Sequence, residues 1–91
     1  MAQKTIASKK FLTVKIAWSP IIGKQTMEER ALAVSSQNLI GNFDILPDHV
    51  NFISLILNNL TLHLLDRKVD YQFGRGLLEV SENRVNVFLG V

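Results

Sequence analysis

The chain has 91 residues, 47% apolar and 20% charged, a composition that supports folding and that suits one domain with a modest core. It contains no cysteine, which excludes disulfides, thiolate metal sites and a cysteine nucleophile. Residues 1–30 hold six basic side chains against Glu28 and Glu29, a net +4 in a chain whose formal charge is +2; the basic character therefore belongs to the N-terminal part.

Residues 1–10 read as a basic flexible tail and 11–91 as a single β-sandwich domain. A lysine-rich tail can find phosphates, lipid headgroups or acidic surfaces, or it can be a solvated, frayed end. It holds no apolar run of signal-peptide length. The most apolar window, Phe52 to Leu65, is broken by Asn58, Asn59 and His63 and is shorter than the ~20 residues a membrane-spanning helix needs.

From Phe11 to Trp18 the pattern alternates, with Leu12, Val14, Ile16 and Trp18 on one face, which predicts a half-buried strand. Ser19-Pro20 ends it. A short strand around Ile21 and Ile22 and a turn at Gly23-Lys24 follow. Thr26 with Glu29 could form a capping box, but the helical face it would head is poor, so a strand from about Ala31 to Ser35 is predicted after a charged approach. Ser35 to Asn38 reads as a polar loop. Gly41 to His49 then acts as a bend between strands, with Phe43, Ile45 and Leu46 as apolar anchors and Pro47 denying a ladder donor.

Val50 to Leu57 reads as a strand. Asn58-Asn59 reads as a turn, because asparagine tolerates left-handed backbone, and Leu60, Leu62 and Leu64 complete a hairpin. Val69, Tyr71 and Phe73 alternate until Gly74-Arg75-Gly76 interrupts them; Leu78 and Val80 resume the strand. Ser81 to Asn83 is a turn before Val85, Val87 and Leu89. Short strands at intervals of roughly 8 to 12 residues predict an all-β, two-sheet antiparallel β-sandwich, or a small barrel.

Taken together, Gly41-Asn42-Phe43-Asp44-Ile45-Leu46-Pro47-Asp48-His49, the hydrophobic strand after it, Gly76-Leu77-Leu78-Glu79-Val80 and then Asn83-x-Val85-x-Val87 resemble the N-terminal domain of the epsilon subunit of rotary ATP synthases, the equivalent of mitochondrial delta. The resemblance runs from about Leu32 to the end and is plausible for the first strand. It implies a non-catalytic rotor part that binds the gamma subunit and rests against the c-ring, peripheral to an energy-transducing membrane on its cytoplasmic face or the organelle equivalent. It implies neither a small-molecule substrate nor a nucleic acid as partner. Full-length members usually carry a C-terminal helical hairpin used in autoinhibition; the hairpin is absent here, the chain ending at Val91, and the inhibitory function is expected to be lacking with it. Two departures stand out. Ile40 and Asn42 flank Gly41 where many members have glutamates, and Arg75 precedes Gly76 where the family tends to have a glycine.

The interface candidates implied for the c-ring and gamma are Ile40, Gly41, Asn42, Asp44, Leu46, Pro47, His49 and Arg75. His49 could bond across an interface or cap its own loop through local backbone groups. Trp18 shares the parity of core residues, which favours packing over anchoring a partner. His49 and His63 lack ligand partners at metal spacing, so neither a metal nor a cofactor is expected. The acidic residues mostly fall in predicted turns, and no serine, histidine and acid set accompanies a nucleophile elbow, so catalysis is not expected. The rival readings are a small nucleic-acid-binding barrel, which needs basic and aromatic residues together on one outward face, and a freestanding β-sandwich interaction module.

Overall fold

The structure is a computed structural model that describes residues 10–18 and 26–90. Seven strands run in chain order: β1 (Leu12–Trp18), β2 (Thr26–Ala31), β3 (Ala33–Gln37), β4 (Asn42–Ile45), β5 (Phe52–His63), β6 (Lys68–Ser81) and β7 (Arg84–Leu89). They form one hydrogen-bonded series, β2-β1-β7-β6-β5-β3-β4, antiparallel throughout except for the parallel pair β1 and β7. No helix occurs among the described residues.

Two long strands turn this series into two layers. The first half of β5 pairs only with the second half of β6, while its second half pairs with both β6 and β3. Between Leu57↔Arg75 and Asn59↔Gln72, β5 contributes Asn58 alone and β6 contributes Phe73 and Gly74, so one extra residue sits in β6. Such a bulge bends and twists the strand pair. Asn58 absorbs the bend at φ 71°. The inward positions of β6 shift parity there, from Val69, Tyr71 and Phe73 to Gly76, Leu78 and Val80, which keeps both halves facing one core.

That core joins Leu12, Val14 and Ile16 of β1, Val34 of β3, Ile56, Leu60 and Leu62 of β5, Leu78 of β6 and Val85, Val87 and Leu89 of β7, all essentially without solvent exposure. Each such side chain stabilises the fold by about 1.5–3 kcal/mol through burial. Aromatic pairs close the gap between layers: Trp18 with Tyr71 at 6.4 Å, and Phe43 with Phe52 at 5.5 Å in an edge-to-face arrangement. Trp18 is thus a half-buried packing residue.

Several expected boundaries are corrected. The hairpin placed at Asn58-Asn59 is one continuous strand, because the left-handed residue serves a bulge instead of a chain reversal. The break at Gly74-Arg75-Gly76 is likewise internal to β6. The charged approach Thr26–Ala31 is itself a strand, pairing with β1 from Leu12↔Ala31 to Ala17↔Thr26, and a bend at Leu32 leads to β3. Ser35, Ser36 and Gln37 belong to β3, since Ser36 points inward and donates from Oγ to the Asn59 carbonyl at 2.7 Å. The short strand around Ile21 and Ile22, and nearly all of the basic tail, lie outside the described residues. The turn at Glu82-Asn83 agrees with expectation: both residues have positive φ, as a two-residue hairpin loop of the I′ kind requires.

Candidate interaction site

Gly41 to His49 contains a strand of its own. Asn42, Phe43, Asp44 and Ile45 pair with Gln37, Ser36, Ser35 and Val34, burying Ile45 and half-burying Phe43. The interface candidates therefore separate into groups instead of forming one patch. Ile40, Gly41 and Asn42 sit at the β3–β4 tip, Leu46, Pro47 and His49 follow the other end of β4, and Arg75 lies exposed on β6 beside the bulge.

The tip is a two-residue loop. Asn38 and Gly41 exchange backbone hydrogen bonds of 2.9 and 3.2 Å, and the Asn38 Oδ1 accepts from the backbone N–H of Ile40 and of Gly41. Gly41 adopts φ 149°, which side chains with a Cβ rarely enter. The turn holds Leu39 and Ile40 out at 89% and 96% exposure. From Ala31 to Phe43 no residue is charged, so this tip has no ionic means of attachment.

The loop after β4 is pinned by three bonds to two residues. Lys10 Nζ reaches the Asp48 carboxylate at 2.8 Å, Asp48 N–H donates to Asn83 Oδ1 at 2.6 Å, and Asn83 Nδ2 donates back to Asp48 Oδ1 at 3.2 Å. The hydrogen bond from Lys10, and then that from Asn83, hold the Asp48 carboxyl below the usual carboxylate range. Asn83 also accepts the Thr13 N–H through its carbonyl, so it joins this loop, the β6–β7 turn and the start of β1. His49 packs its ring against Phe52 and bonds through Nδ1 to the Val50 carbonyl at 2.8 Å, the local capping arrangement.

The two outer faces differ in chemistry. On the layer containing β1 and β7, cross-strand register sets Leu55 beside Leu77, Leu77 beside Phe88 and Phe88 beside Ala17, an apolar row that leaves Leu55 and Phe88 exposed. The opposite layer is polar. Asp44, Ser35, Thr61 and Asp70 form a row across four strands, in which Ser35 donates to Asp44 at 2.6 Å and Thr61 to Asp70. His63 Nε2 lies 2.8 Å from Ser35 Oγ; since the one hydroxyl proton goes to Asp44, the ring nitrogen donates.

Serine, histidine and aspartate do meet here, which the sequence order conceals because Ser35 and His63 are brought together by β3–β5 pairing. The order is wrong for a triad, which needs the imidazole between the hydroxyl and the acid. Asp44, Asp70 and Glu79 are strand residues on solvent-facing positions, not turn residues. Among the described residues there is no group of His, Asp or Glu that could hold a metal ion, and no helix long and apolar enough to cross a membrane.

No protein-family profile matches the chain, and no curated protein matches it in sequence. Solved structures do share its fold. A chain in the structure of the Euglena gracilis mitochondrial ATP synthase, comprising OSCP, F1 and c-ring in rotational state 1, aligns with TM-score 0.77 and 13% identity over 87% of this chain and 50% of its own length. A chain in the central stalk and c-ring structure of the Tetrahymena thermophila mitochondrial ATP synthase aligns with TM-score 0.70 and 10% identity over 89% of this chain and 64% of its own length. The chain thus spans between half and two thirds of those relatives. At these identities the likeness is one of fold, and it agrees with the fold that the epsilon-subunit motifs imply.

Proposed function

We propose that the chain is a non-catalytic rotor subunit of a proton-translocating ATP synthase, binding gamma and contacting the c-ring. The observation that carries this reading is the fold shared with chains of ATP synthase assemblies that include the c-ring. The ordered Gly41 to His49 and Gly76 to Val80 elements point the same way. The subunit acts as a coupling part held at the membrane through the complex, and turnover belongs to its partners. Residues 11–91 form its one folded domain, and 1–10 its tail.

The apolar row Leu55, Leu77 and Phe88 suits a protein partner, because an apolar surface centre surrounded by polar residues is the usual anatomy of an interface. The tip at Ile40, Gly41 and Asn42 suits the c-ring contact. A pulldown of the purified chain with its cognate gamma subunit tests the reading. A complex at micromolar concentration that is lost in Phe88→Asp supports it, and no complex with the folded wild-type chain would overturn it.

A further inference from the structure

An edge strand offers a row of free backbone N–H and C=O groups, and soluble proteins ordinarily guard it with charge, proline, a bulge or shortness. Four edges occur among the described strands. β2 carries Glu28, Glu29 and Arg30, and β4 has only four residues with Asp44 among them. The first half of β6, paired with β5 but beyond the reach of β7, carries Lys68 and Asp70. The fourth is the first half of β5. Phe52 to Leu57 pairs with β6 on one side, and on the other side β3 reaches only Leu60 to His63. This segment, Phe-Ile-Ser-Leu-Ile-Leu, has no charge, proline or bulge within it, and Ile53 and Leu55 are 63% and 55% exposed. Charge is absent from the whole run His49 to Leu65, its histidines aside.

We propose that this edge pairs with the same edge of a second copy of the chain, forming a two-fold antiparallel dimer. Symmetry and side-chain parity restrict the register. Outward residues must oppose outward residues, so the axis passes at Ser54 or Leu55. Leu55 on the axis sets Ile53 against Leu57 of the other copy and joins the row Phe88, Leu77, Leu55 to its counterpart as one apolar band. A second copy also satisfies the charge condition, since each edge strand meets a strand with no ionised group of its own to desolvate. The Asn38 side chain bonds Ser54 Oγ at 3.2 Å, which sets the exposed Leu39–Ile40 tip beside the same edge. Six residues a side give a pairing about 20 Å long, at the small end for stable interfaces, so the dimer forms in the micromolar range.

The dimer is read on the isolated chain, independently of any stalk partner. Sedimentation equilibrium from low micromolar to sub-millimolar concentration should show the mass rising towards twice the monomer. Leu55→Lys, at a half-exposed position that need not unfold the chain, should hold it at the monomer while circular dichroism stays unchanged. Glu28→Lys on the β2 edge should dimerise as the wild type does. Because the chain has no cysteine of its own, Leu55→Cys should crosslink to a dimer under mild oxidation and Glu28→Cys should not. A wild-type chain that stays monomeric throughout, or a dimer untouched by Leu55→Lys, overturns the proposal. So does a monomer whose binding to gamma is lost with Leu55→Lys, which would assign the edge to a strand of that partner.

Discussion

Gly76 is the residue at which a single methyl group should cost most. A Cβ there would lie 2.8 Å from the Phe88 carbonyl oxygen, 3.0 Å from Leu89 Cδ2 and 3.3 Å from Ile56 Cγ1. The leucine and isoleucine ends can yield, but the carbonyl is fixed by the β6–β7 ladder, in which Gly76 pairs with Leu89. Overpacking of this kind costs about 1–3 kcal/mol, and the lower unfolded-chain entropy of alanine returns about 0.4–1 kcal/mol. The net loss for Gly76→Ala is therefore roughly 1–2 kcal/mol, or about 5–15 °C in Tm for a domain of this size. Urea unfolding followed by Trp18 fluorescence and far-UV circular dichroism measures it, with an unchanged slope expected. Gly74 is the internal control. It stands two residues away in the same strand, nothing lies within 4 Å of its Cβ and its φ is not positive, so Gly74→Ala should stay within about 0.5 kcal/mol of wild type. Equal effects of the two substitutions would refute the close-approach argument for Gly76.

Three further outcomes follow from particular contacts. Ser36→Ala removes the buried hydroxyl that donates to the Asn59 carbonyl next to the bulge; losing such a bond costs about 0.5–1.5 kcal/mol, which the same urea titration detects, while Ser35→Ala on the solvent-facing side should cost less. The folded-state pKa of Asp48 is depressed, so its stabilising contribution is complete above the ordinary carboxylate range and fades as pH falls through the folded value. Carbon-detected NMR should show Asp48 titrating below an ordinary aspartate, moving up in Lys10→Met and less so in Asn83→Gly, which retains the positive φ of the turn. Burial raises the Tyr71 phenol, with Glu29 adding to the shift and Arg67 opposing it. The contribution is thus present below the ordinary phenol value and lost as pH rises through the folded one; an absorbance titration should find a high midpoint that falls in Glu29→Gln.

Where alternation runs unbroken the sequence dictates the structure directly, as in β1 and β7, whose inward residues Leu12, Val14 and Ile16 and Val85, Val87 and Leu89 are all buried. The long strands were legible in pieces only. Asn58 and Gly74 carry turn chemistry, and a bulge uses the same backbone freedom as a chain reversal, so local pattern cannot tell which of the two that freedom will serve. β2 is hidden for another reason: as an edge strand it gains from Glu28 and Arg30 on its outward face, and that charge masks the half-buried Met27 and Glu29 that alternate with them. Asn83 is legible as a turn residue; its bonds to Asp48, thirty-five positions away, depend on two loops meeting and leave no local trace.

That meeting also separates the candidate interface into parts with different physical roles. Leu46 to His49 lies in a loop held by Asn83 and Lys10, with His49 bonded to its neighbouring backbone, so its polar groups are already satisfied within the chain. Ile40, by contrast, is almost wholly exposed on a tip fixed by Asn38 and free of charge. If the tip makes the c-ring contact, the attraction there is apolar, and salt should screen it little, because screening acts on charges. Co-sedimentation of the chain with c-ring-containing membranes stripped of the native subunit, in the presence of gamma, should then vary less than about twofold as salt is raised across the range that dissolves ionic contacts. Ile40→Asp should weaken the association more than tenfold, equivalent to about 1.4 kcal/mol, whereas His49→Ala should leave it nearly unchanged. A steep fall with salt would transfer the contact to charged groups such as Arg75 and remove the tip from the interface.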